Sequence, residues 1–454
     1  MSPMTKSYIV IADIVLFVLL LNFLPFGDTE NKGLALLLFV GILWLTEAVH
    51  VTITAITVPV LAIVLGLVPT TKALNGFSDP NIYLFFGGFA LAAAMHYQKI
   101  DRIIAQRILA LARGNFFLSV LFLFTVTAFL SMWMSNTATA AMMLPLAIGM
   151  LSNVDYEENK GTYVFVLLGI AFSASIGGMG TLVGSPPNAI VASNMHMTFA
   201  DWFVIGFPFM LVLMPIMLIC LFLVFRPNLK IKVDFKDEQV EFTGKRYLTL
   251  GIFVAIALCW IFSAQLNPLI SSLMGLTANI ASFDSVIAIF AAIIVVALKL
   301  ISWKEVQANT DWGVLMLFGG GITLSAVLKD SGASQIMADG IVLLIEGQHY
   351  FVIGLLVSFF IVFLTEFTSN TASAALLVPL FIAIAESIGA PPLGLALIIG
   401  LGASCAFMLP VATPPNAIVF GTGYVPQASM IRIGLVLNIV CSFVIAIGAY
   451  FFFL

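Results

Sequence analysis

The stretch "SNTATAAMMLP", Ser135 to Pro145, recurs as "SNTASAALLVP", Ser369 to Pro379, 234 positions further along the chain. In both copies a Ser-Asn-Thr triplet precedes an alanine-rich run inside a long apolar region. Polar side chains in such surroundings need partners, because unpaired polar groups away from water are costly. A duplicated polar triplet therefore indicates a paired feature of the fold rather than one isolated helix cap.

The composition shows what surrounds the triplets. The 454 residues are 61% hydrophobic and 9% charged, and their mean hydropathy is +1.14. A water-soluble fold of this size cannot bury so much apolar surface. The apolar runs are about 17 to 22 residues long, which suits helices that cross a ~30 Å hydrocarbon core and is too continuous for barrel strands. The sequence predicts an all-α polytopic membrane protein.

The apolar runs divide into eleven predicted transmembrane helices and two re-entrant hairpins. The hairpins, 116–153 and 350–389, are each long enough to enter the membrane and return, with a triplet in the middle. No cleavable signal peptide is expected, because the first run carries Asp13 and leads into a second run. The predicted spans are 8–24, 34–50, 52–69, 83–98, 163–193, 203–225, 247–265, 284–301, 313–328, 393–423 and 433–454.

The basic residues test this topology, because cytoplasmic loops carry an excess of Lys and Arg. With the N-terminus inside and the hairpins not crossing, only Lys32, Lys72 and Lys329 of the 18 basic residues fall outside, which leaves 15 on the cytoplasmic side. The pattern predicts a plasma-membrane protein, in a bacterium the inner membrane, with a cytoplasmic N-terminus and an external C-terminus. Lys99–Gly114 is expected to form an amphipathic surface helix, with a counterpart near 330–344.

Further matches recur in the order of the triplets and indicate an internal duplication. Asp79 matches Asp311, Gly87 matches Gly319, and "GSPPNAIVA" from Gly184 matches "ATPPNAIVF" from Ala412. Five predicted spans separate the triplets, and an odd number inverts the second copy, as in many secondary transporters. The predicted division is a first helix in 1–30, an N-terminal repeat in 31–230 with hairpin 116–153 and broken helix 163–193, a cytoplasmic linker in 231–246, and a C-terminal inverted repeat in 247–454 with hairpin 350–389 and broken helix 393–423.

Both repeats contain signals for helices that begin within the membrane. Proline suits the first helical position because its missing N–H would be unpaired there anyway, and Pro186 and Pro414 stand at such positions. Hydroxyl side chains can cap the starts of four helices. The predicted caps are Ser135, Ser185, Ser369 and Thr413. Four helix N-termini with free N–H groups and partial positive charge are therefore expected to converge near one point.

Such a place favours an anion, yet the nearby sequence lacks cationic side chains. No Lys or Arg occurs in 115–159, 161–225 or 347–431. Dehydrating a dianion is costly enough that dipoles and hydroxyls alone are insufficient, so a bound metal cation is the natural co-ligand.

Two cation sites are predicted from hydroxyl spacing. Ser131 lies four residues before Ser135, and Thr365 lies four before Ser369. This spacing places two hydroxyls on one helical face, and hard monovalent cations prefer such oxygen ligands. We therefore expect at least two Na+ sites, one for each hairpin.

On these residues the chain resembles the divalent anion sodium symporter family, also called the INDY family. The paired "SNT" triplets and paired "PPN" breaks carry the resemblance, which spans essentially the whole chain. It implies that the substrate's two anionic ends are held by Asn136, Thr137, Asn370 and Thr371, flanked by Ser185, Pro186, Thr413 and Pro414. It implies one Na+ site at Ser131, Ser135, Asn136 and Gly184, and another at Thr365, Thr368, Asn370 and Ala412. It further implies a homodimer with an elevator-type transport domain.

The function expected from the resemblance is Na+-coupled symport of a small dicarboxylate across the lipid bilayer. Two rivals remain: a Na+-independent dicarboxylate exchanger of the same fold, and a Na+-sulfate symporter. An intramembrane enzyme is disfavoured because no His, Cys or paired Asp falls in the repeated motifs. No nucleic-acid partner is expected. Glu366 either takes part in cation coupling or faces water or a partner outside the site. Because Ser185 matches Thr413 and Met134 matches Thr368, the two cation sites need not be equal.

Overall fold

A computed structural model describes residues 2–152, 154–228, 231, 241–345 and 347–454, with the backbone alone for 341–345. Every regular element in these ranges is a helix, which confirms the predicted all-α class. The predicted linker 231–246 lies largely outside the described residues. Only 231 and 241–246 belong to them, and a helix already begins at Gly244.

Within its described residues, the first half of the chain forms eleven α-helices, with 3-10 turns at Gly76–Ser78 and Leu182–Gly184. The helices are α1 (Pro3–Phe23), α2 (Asp28–Thr46), α3 (Val51–Val64), α4 (Thr70–Asn75), α5 (Pro80–Tyr97), α6 (Ile100–Ala110), α7 (Phe116–Ser131), α8 (Asn136–Leu151), α9 (Lys160–Gly178), α10 (Pro186–Asn194) and α11 (Phe199–Phe225). Helices α7 and α8 are the arms of the first predicted hairpin, and α9 and α10 are the parts of the first predicted broken helix.

The second half of the chain forms eleven further α-helices within the described residues. Its helices are α12 (Gly244–Ile261), α13 (Ser263–Leu273), α14 (Phe283–Ala297), α15 (Trp303–Asn309), α16 (Trp312–Ser331), α17 (Ala333–Ile345), α18 (Tyr350–Leu364), α19 (Asn370–Ser387), α20 (Pro392–Ala403), α21 (Pro414–Phe420) and α22 (Gln427–Phe453). The second hairpin is α18 with α19, and the second broken helix is α20 with α21.

Eight helices of the described ranges are long and apolar enough to cross a membrane. Seven of them, α1, α2, α9, α11, α12, α16 and α22, coincide with predicted spans. The eighth is α19, which the sequence assigns to a hairpin arm. Three other predicted spans correspond to the shorter apolar helices α3, α14 and α20. The arms α7, α8 and α18 are short as well, as expected for segments that turn back within the membrane.

A helix, α6, occupies most of the stretch predicted to form the amphipathic surface helix. Its side chains Ile100, Ile103 and Leu109 are buried, whereas Arg107 lies toward its exposed face. This pattern is typical of an amphipathic helix, in which one face packs against the protein and the opposite face is exposed to a polar environment. The predicted counterpart is present as α17.

Two close helix crossings relate the halves of the chain. Helix α5 packs along α14, and α16 packs along α3. A Cβ atom at Gly87 would lie 2.2 Å from the carbonyl oxygen of Ala288, and one at Gly320 would lie 2.4 Å from that of Ala55. Gly320 follows Gly87 by 233 positions, and Ala288 follows Ala55 by the same number. In each crossing, a glycine of one half packs against an alanine carbonyl of the other half, and only a hydrogen side chain fits there.

Replacing Gly87 or Gly320 by Ala should lower the thermal unfolding temperature of the purified protein in detergent. The added methyl group would overlap a backbone carbonyl, and overpacking of this kind costs about 1–3 kcal/mol. Gly251→Ala in α12 is the matched control, because no atom of a neighbouring element lies within 4 Å of the place that its methyl group would take. The control should be neutral or slightly stabilising, since Ala favours helix over Gly. Equal unfolding temperatures for all three variants would contradict the close crossings.

Candidate functional site

The two hairpin tips and the two helix breaks meet around one cavity of about 990 Å³. The sequence-predicted substrate residues all line it: Asn136, Thr137, Ser185, Pro186, Asn370, Thr371, Thr413 and Pro414. Among the predicted cation ligands, Ser135, Gly184, Thr368 and Ala412 line it too. Ser131 and Thr365 are fully buried at the ends of the first hairpin arms. The structure therefore brings together residues from both halves of the sequence.

At the first hairpin tip, the amide of Asn136 faces a group of oxygens. The Ser131 hydroxyl lies 2.6 Å from the Asn136 side chain and 2.7 Å from the carbonyl oxygen of Ala174. With its nitrogen turned inward, the Asn136 amide donates to Ser131 Oγ, to Ala174 O at 3.1 Å and to Gly184 O at 3.3 Å. With its oxygen turned inward, it completes an all-oxygen cluster, which is the ligand type that hard cations take.

The second hairpin tip has the same arrangement. The Thr365 hydroxyl lies 2.5 Å from Oδ1 of Asn370 and donates to the carbonyl oxygen of Ala403 at 3.0 Å. Ala174 lies in the last two turns of α9, and Ala403 is the last residue of α20, so both precede an unwound segment. Sequence reasoning missed these two carbonyls, because a backbone oxygen carries no residue-type signal.

The asparagines of the two "PPN" motifs hold the unwound segments. Nδ2 of Asn188 donates to the carbonyl oxygens of Gly178 at 2.8 Å and Thr181 at 2.7 Å. Nδ2 of Asn416 donates to those of Ala406 and Leu409, each at 3.0 Å. Backbone groups freed by a helix break inside a membrane protein must find such partners. Neither asparagine was predicted as a site residue, although the repeated "PPN" was the signal that could have identified both.

Three of the four predicted helix caps are confirmed. Ser135 accepts from the amide of Ala138 at 3.2 Å, Ser369 accepts from that of Ala372 at 3.4 Å, and Thr413 caps α21. Ser185 occupies the predicted N-cap position of α10, but the prediction that its hydroxyl caps the helix is wrong, because its side chain makes no capping hydrogen bond. Its hydroxyl lies instead 3.4 Å from the hydroxyl of Ser404 in the second broken helix, so it is drawn away from its own helix start.

Thr368 lines the cavity but directs its hydroxyl into the hairpin tip. This hydroxyl donates to the carbonyl oxygen of Leu364 at 3.0 Å and lies 2.7 Å from the hydroxyl of Ser373. Its counterpart in the first hairpin is Met134, which has no hydroxyl. The two tips therefore differ in their internal bonding although the neighbouring triplets are identical.

The charge of the cavity lining is unusual for an anion site. Among the described lining residues, the ionisable side chains are Glu47, His96, Asp311 and Glu366. No Lys or Arg of the described ranges lines the cavity. Its donors are instead the amides and hydroxyls of the triplets and the N–H groups at the starts of α8 and α19, whose first residues line the cavity. Helices α10 and α21 also begin at the cavity, but each starts with two prolines, which have no N–H to donate. This lining can orient an anion but supplies little neutralising charge.

Comparison with known proteins gives a family and several relatives. A family model described as citrate transporter matches residues 41–400 and 284–454. An uncharacterized transporter of Haemophilus influenzae is 65% identical over 99% of this chain and 97% of its own length. An uncharacterized transporter of Methanocaldococcus jannaschii is 36% identical over 92% of both chains. A sodium-dependent dicarboxylate transporter of Staphylococcus saprophyticus is 31% identical over 96% of this chain and 89% of its own.

Two solved structures share the fold at low sequence identity. The YdaH transporter of Alcanivorax borkumensis aligns with a TM-score of 0.59 at 13% identity, over 84% of this chain and 87% of its own. MtrF of Neisseria gonorrhoeae aligns with a TM-score of 0.55 at 13% identity, over 99% and 94%. At this identity the likeness concerns the fold alone, and it agrees with a transporter architecture.

Replacing Asn188 or Asn416 by Leu should destabilise the protein. Leu has a similar size but leaves two buried carbonyls unpaired in each break, at about 1–3 kcal/mol per unpaired group. Asn22→Leu is the matched control, because the exposed Asn22 donates only within its own helix, to Val18. Thermal unfolding in detergent should show a clear loss for the two break variants and little change for the control. Equal unfolding temperatures would mean that the asparagines do not hold the breaks.

Proposed function

Because the chain belongs to the divalent anion sodium symporter family, we propose that it moves small dicarboxylates such as succinate, malate or fumarate across the plasma membrane together with Na+. The chain is a multi-pass membrane transporter and not an enzyme. The observation that carries the proposal is the single cavity at which both Ser-Asn-Thr triplets and both Pro-Pro-Asn breaks meet. Relatives at 31% identity that are named sodium-dependent dicarboxylate transporters support the substrate class and the coupling ion.

In the proposed substrate site, each triplet binds one carboxylate. Asn136 and Thr137 hold one end, and Asn370 and Thr371 hold the other. The flanking residues Ser185, Pro186, Thr413 and Pro414 shape the space between them. Amide and hydroxyl donors bind a carboxylate without carrying a charge of their own, and helix starts add N–H groups with partial positive charge.

The proposed coupling follows from the missing positive charge. A dianion in a cavity whose ionisable lining groups are three carboxylates and one histidine needs cations nearby. The oxygens of Ser131, Asn136, Ala174 and Gly184 offer a first Na+ site. Those of Thr365, Asn370 and Ala403, beside Ala412, offer a second. Ser135 and Thr368 complete the predicted ligand sets.

The energetics are favourable for uptake. Each net positive charge moved inward gains about 2.3 kcal/mol per 100 mV, in addition to the Na+ gradient. Two Na+ with one dianion make transport electroneutral, and a third Na+ makes it electrogenic.

The proposed movement is of elevator type in a homodimer built on an inverted repeat. The reciprocal crossings of α5 with α14 and of α16 with α3 support a scaffold to which both repeats contribute. The hairpins and broken helices pack on one another across the repeats, with α10 against α19 and α20, and α21 against α8 and α9. This packing suits a transport domain that moves as one body. The cavity reaches the ends of α2 and α5 on the side predicted to be cytoplasmic, at Glu47 and His96, which supports an inward-open state.

Uptake of radiolabelled succinate into proteoliposomes tests the proposal. An inward Na+ gradient should drive uptake, an equal choline gradient should not, and excess sulfate should compete poorly. Asn136→Ala and Asn370→Ala should each abolish this uptake while the protein stays folded and inserted, because each removes one carboxylate ligand. Uptake that requires internal dicarboxylate but not Na+ would identify an exchanger, and strong competition by sulfate would identify a sulfate carrier. Near-normal uptake by both variants would contradict the site.

Thr365→Ala should raise the Na+ concentration for half-maximal uptake by roughly tenfold, which corresponds to about 1.4 kcal/mol of lost cation binding. The reason is that the variant removes a proposed Na+ ligand and leaves every proposed substrate residue in the chain, although Oδ1 of Asn370 loses its hydrogen bond from Thr365. Ser358→Ala is the matched control, because Ser358 lies on α18, the helix that ends directly before Thr365, and its buried hydroxyl has no hydrogen-bond partner in the described structure. An unchanged Na+ dependence in Thr365→Ala would remove this residue from the second site.

A further inference from the structure

Glu366 is a buried carboxylate with an unusual set of partners. Its side chain is 1% exposed and lies at the tip of the second hairpin, directly after Thr365. Oε1 accepts from the backbone amides of Phe407 at 2.7 Å and Met408 at 2.8 Å, and Oε2 accepts from that of Leu409 at 3.0 Å. Nδ2 of Asn438 on α22 also donates to Oε1 at 2.7 Å. All four partners are N–H donors, which fits an ionised carboxylate.

The three backbone amides belong to the unwound segment 404–413, defined here as the stretch between α20 and α21. This segment also supplies the carbonyls of Ala406 and Leu409 that Asn416 binds. Glu366 and Asn416 thus hold the segment through different groups: the carboxylate pairs its N–H donors, and the asparagine amide pairs its carbonyls. Together they determine the path of the backbone from Ala403 to Ala412.

The first half of the chain lacks this carboxylate. Glu366 follows Met132 by 234 positions, the same separation as between the triplets. In the first half the contact runs through neutral groups instead, since the Thr181 hydroxyl donates to the backbone carbonyl of Met132. Both connections join a hairpin tip to the unwound segment of the neighbouring broken helix. Only the second one uses a charged side chain.

The backbone held by Glu366 belongs to the proposed second cation site. The segment begins after Ala403, whose carbonyl accepts from Thr365, and includes Ala412, which lines the cavity. Thr365 and Glu366 are adjacent in sequence, so one hairpin turn supplies both a hydroxyl ligand and the group that holds the remaining ligands in place. A shift of the segment would change the distance between these oxygens.

We propose that Glu366 is a positioning residue that fixes the unwound segment 404–413 and thereby sets the geometry of the second cation site. The part concerning the cation rests on the function proposed above. Glu366 acts through the backbone and is not itself a ligand of substrate or Na+.

Amide hydrogen exchange on the purified protein in detergent tests the structural part without any assumption about function. In Glu366→Gln the side-chain NH2 would face an amide donor, so exchange at Phe407, Met408 and Leu409 should rise by at least about tenfold, as expected for lost hydrogen bonds to a charged group. Exchange in 178–184 of the first half should stay unchanged and serves as the internal control. Unchanged exchange at the three amides would overturn the proposal.

Na+ titration of succinate uptake tests the functional part. Glu366→Gln should raise the half-saturating Na+ concentration several-fold, while the KM for succinate at saturating Na+ stays near that of the wild type. Glu366→Asp should restore part of the Na+ affinity, because it keeps the charge. A proportional fall in uptake with unchanged Na+ affinity would show that Glu366 serves folding alone and would overturn the cation part. A wild type without Na+ dependence would overturn the proposed function, and the exchange data would still decide the structural part.

Asn438→Leu is a second variant that tests the same proposal if Glu366→Gln does not fold. It removes one of the four donors and leaves the three backbone amides on the carboxylate. We expect the same changes in exchange and in Na+ affinity, in the same direction and smaller. If Glu366→Gln does not reach the membrane, Asn438→Leu alone tests the proposal. Hydrogen exchange and Na+ affinity equal to those of the wild type would then overturn it.

Discussion

The structure depends on one constraint: two helices are interrupted inside a membrane protein, and the backbone groups that the interruption frees need hydrogen-bond partners. In each break, nearby side chains form hydrogen bonds with the freed backbone groups. Asn188 and Asn416 pair the carbonyls, and Glu366 pairs three amides of the second break. These hydrogen bonds fix the backbone conformation of both breaks. Backbone oxygens and amides of the breaks can therefore face the cavity while the cavity stays open.

This construction determines the electrostatics of the site. Because the cavity is built from backbone groups, amides and hydroxyls, its donors are polar but neutral, and the charged groups of the described lining are acids with one histidine. An arginine or lysine could neutralise a dianion permanently, but it would also hold the anion tightly in every state. Positive charge that arrives with the substrate neutralises it only while both are bound. In the proposed function, coupling to cations therefore follows from how the cavity is built.

Local signals in the sequence were sufficient for part of this structure. The caps Ser135 and Ser369 could be predicted because a cap and its amide lie three residues apart. Ser185 was predicted wrongly, because its hydroxyl lies near Ser404, 219 residues away. The carbonyls of Ala174 and Ala403 and the partners of Glu366 depend on long-range packing that no spacing reveals. Helices α3 and α14 are shorter than the spans predicted for them.

The two halves agree and differ at informative places. The residues that line the cavity are the same in both triplets, and both hairpins keep a hydroxyl before the triplet, as Ser131 or Thr365. Behind this lining the halves diverge: a threonine hydroxyl connects the first tip to its break, and a glutamate connects the second. A ligand that contacts both halves restricts the groups it touches, whereas a supporting bond can be made by any chemistry that holds the same backbone. In the proposed function, the identity of the triplets therefore reflects the ligand that both contact, and the difference behind them reflects the different hydrogen bonds that stabilise each break.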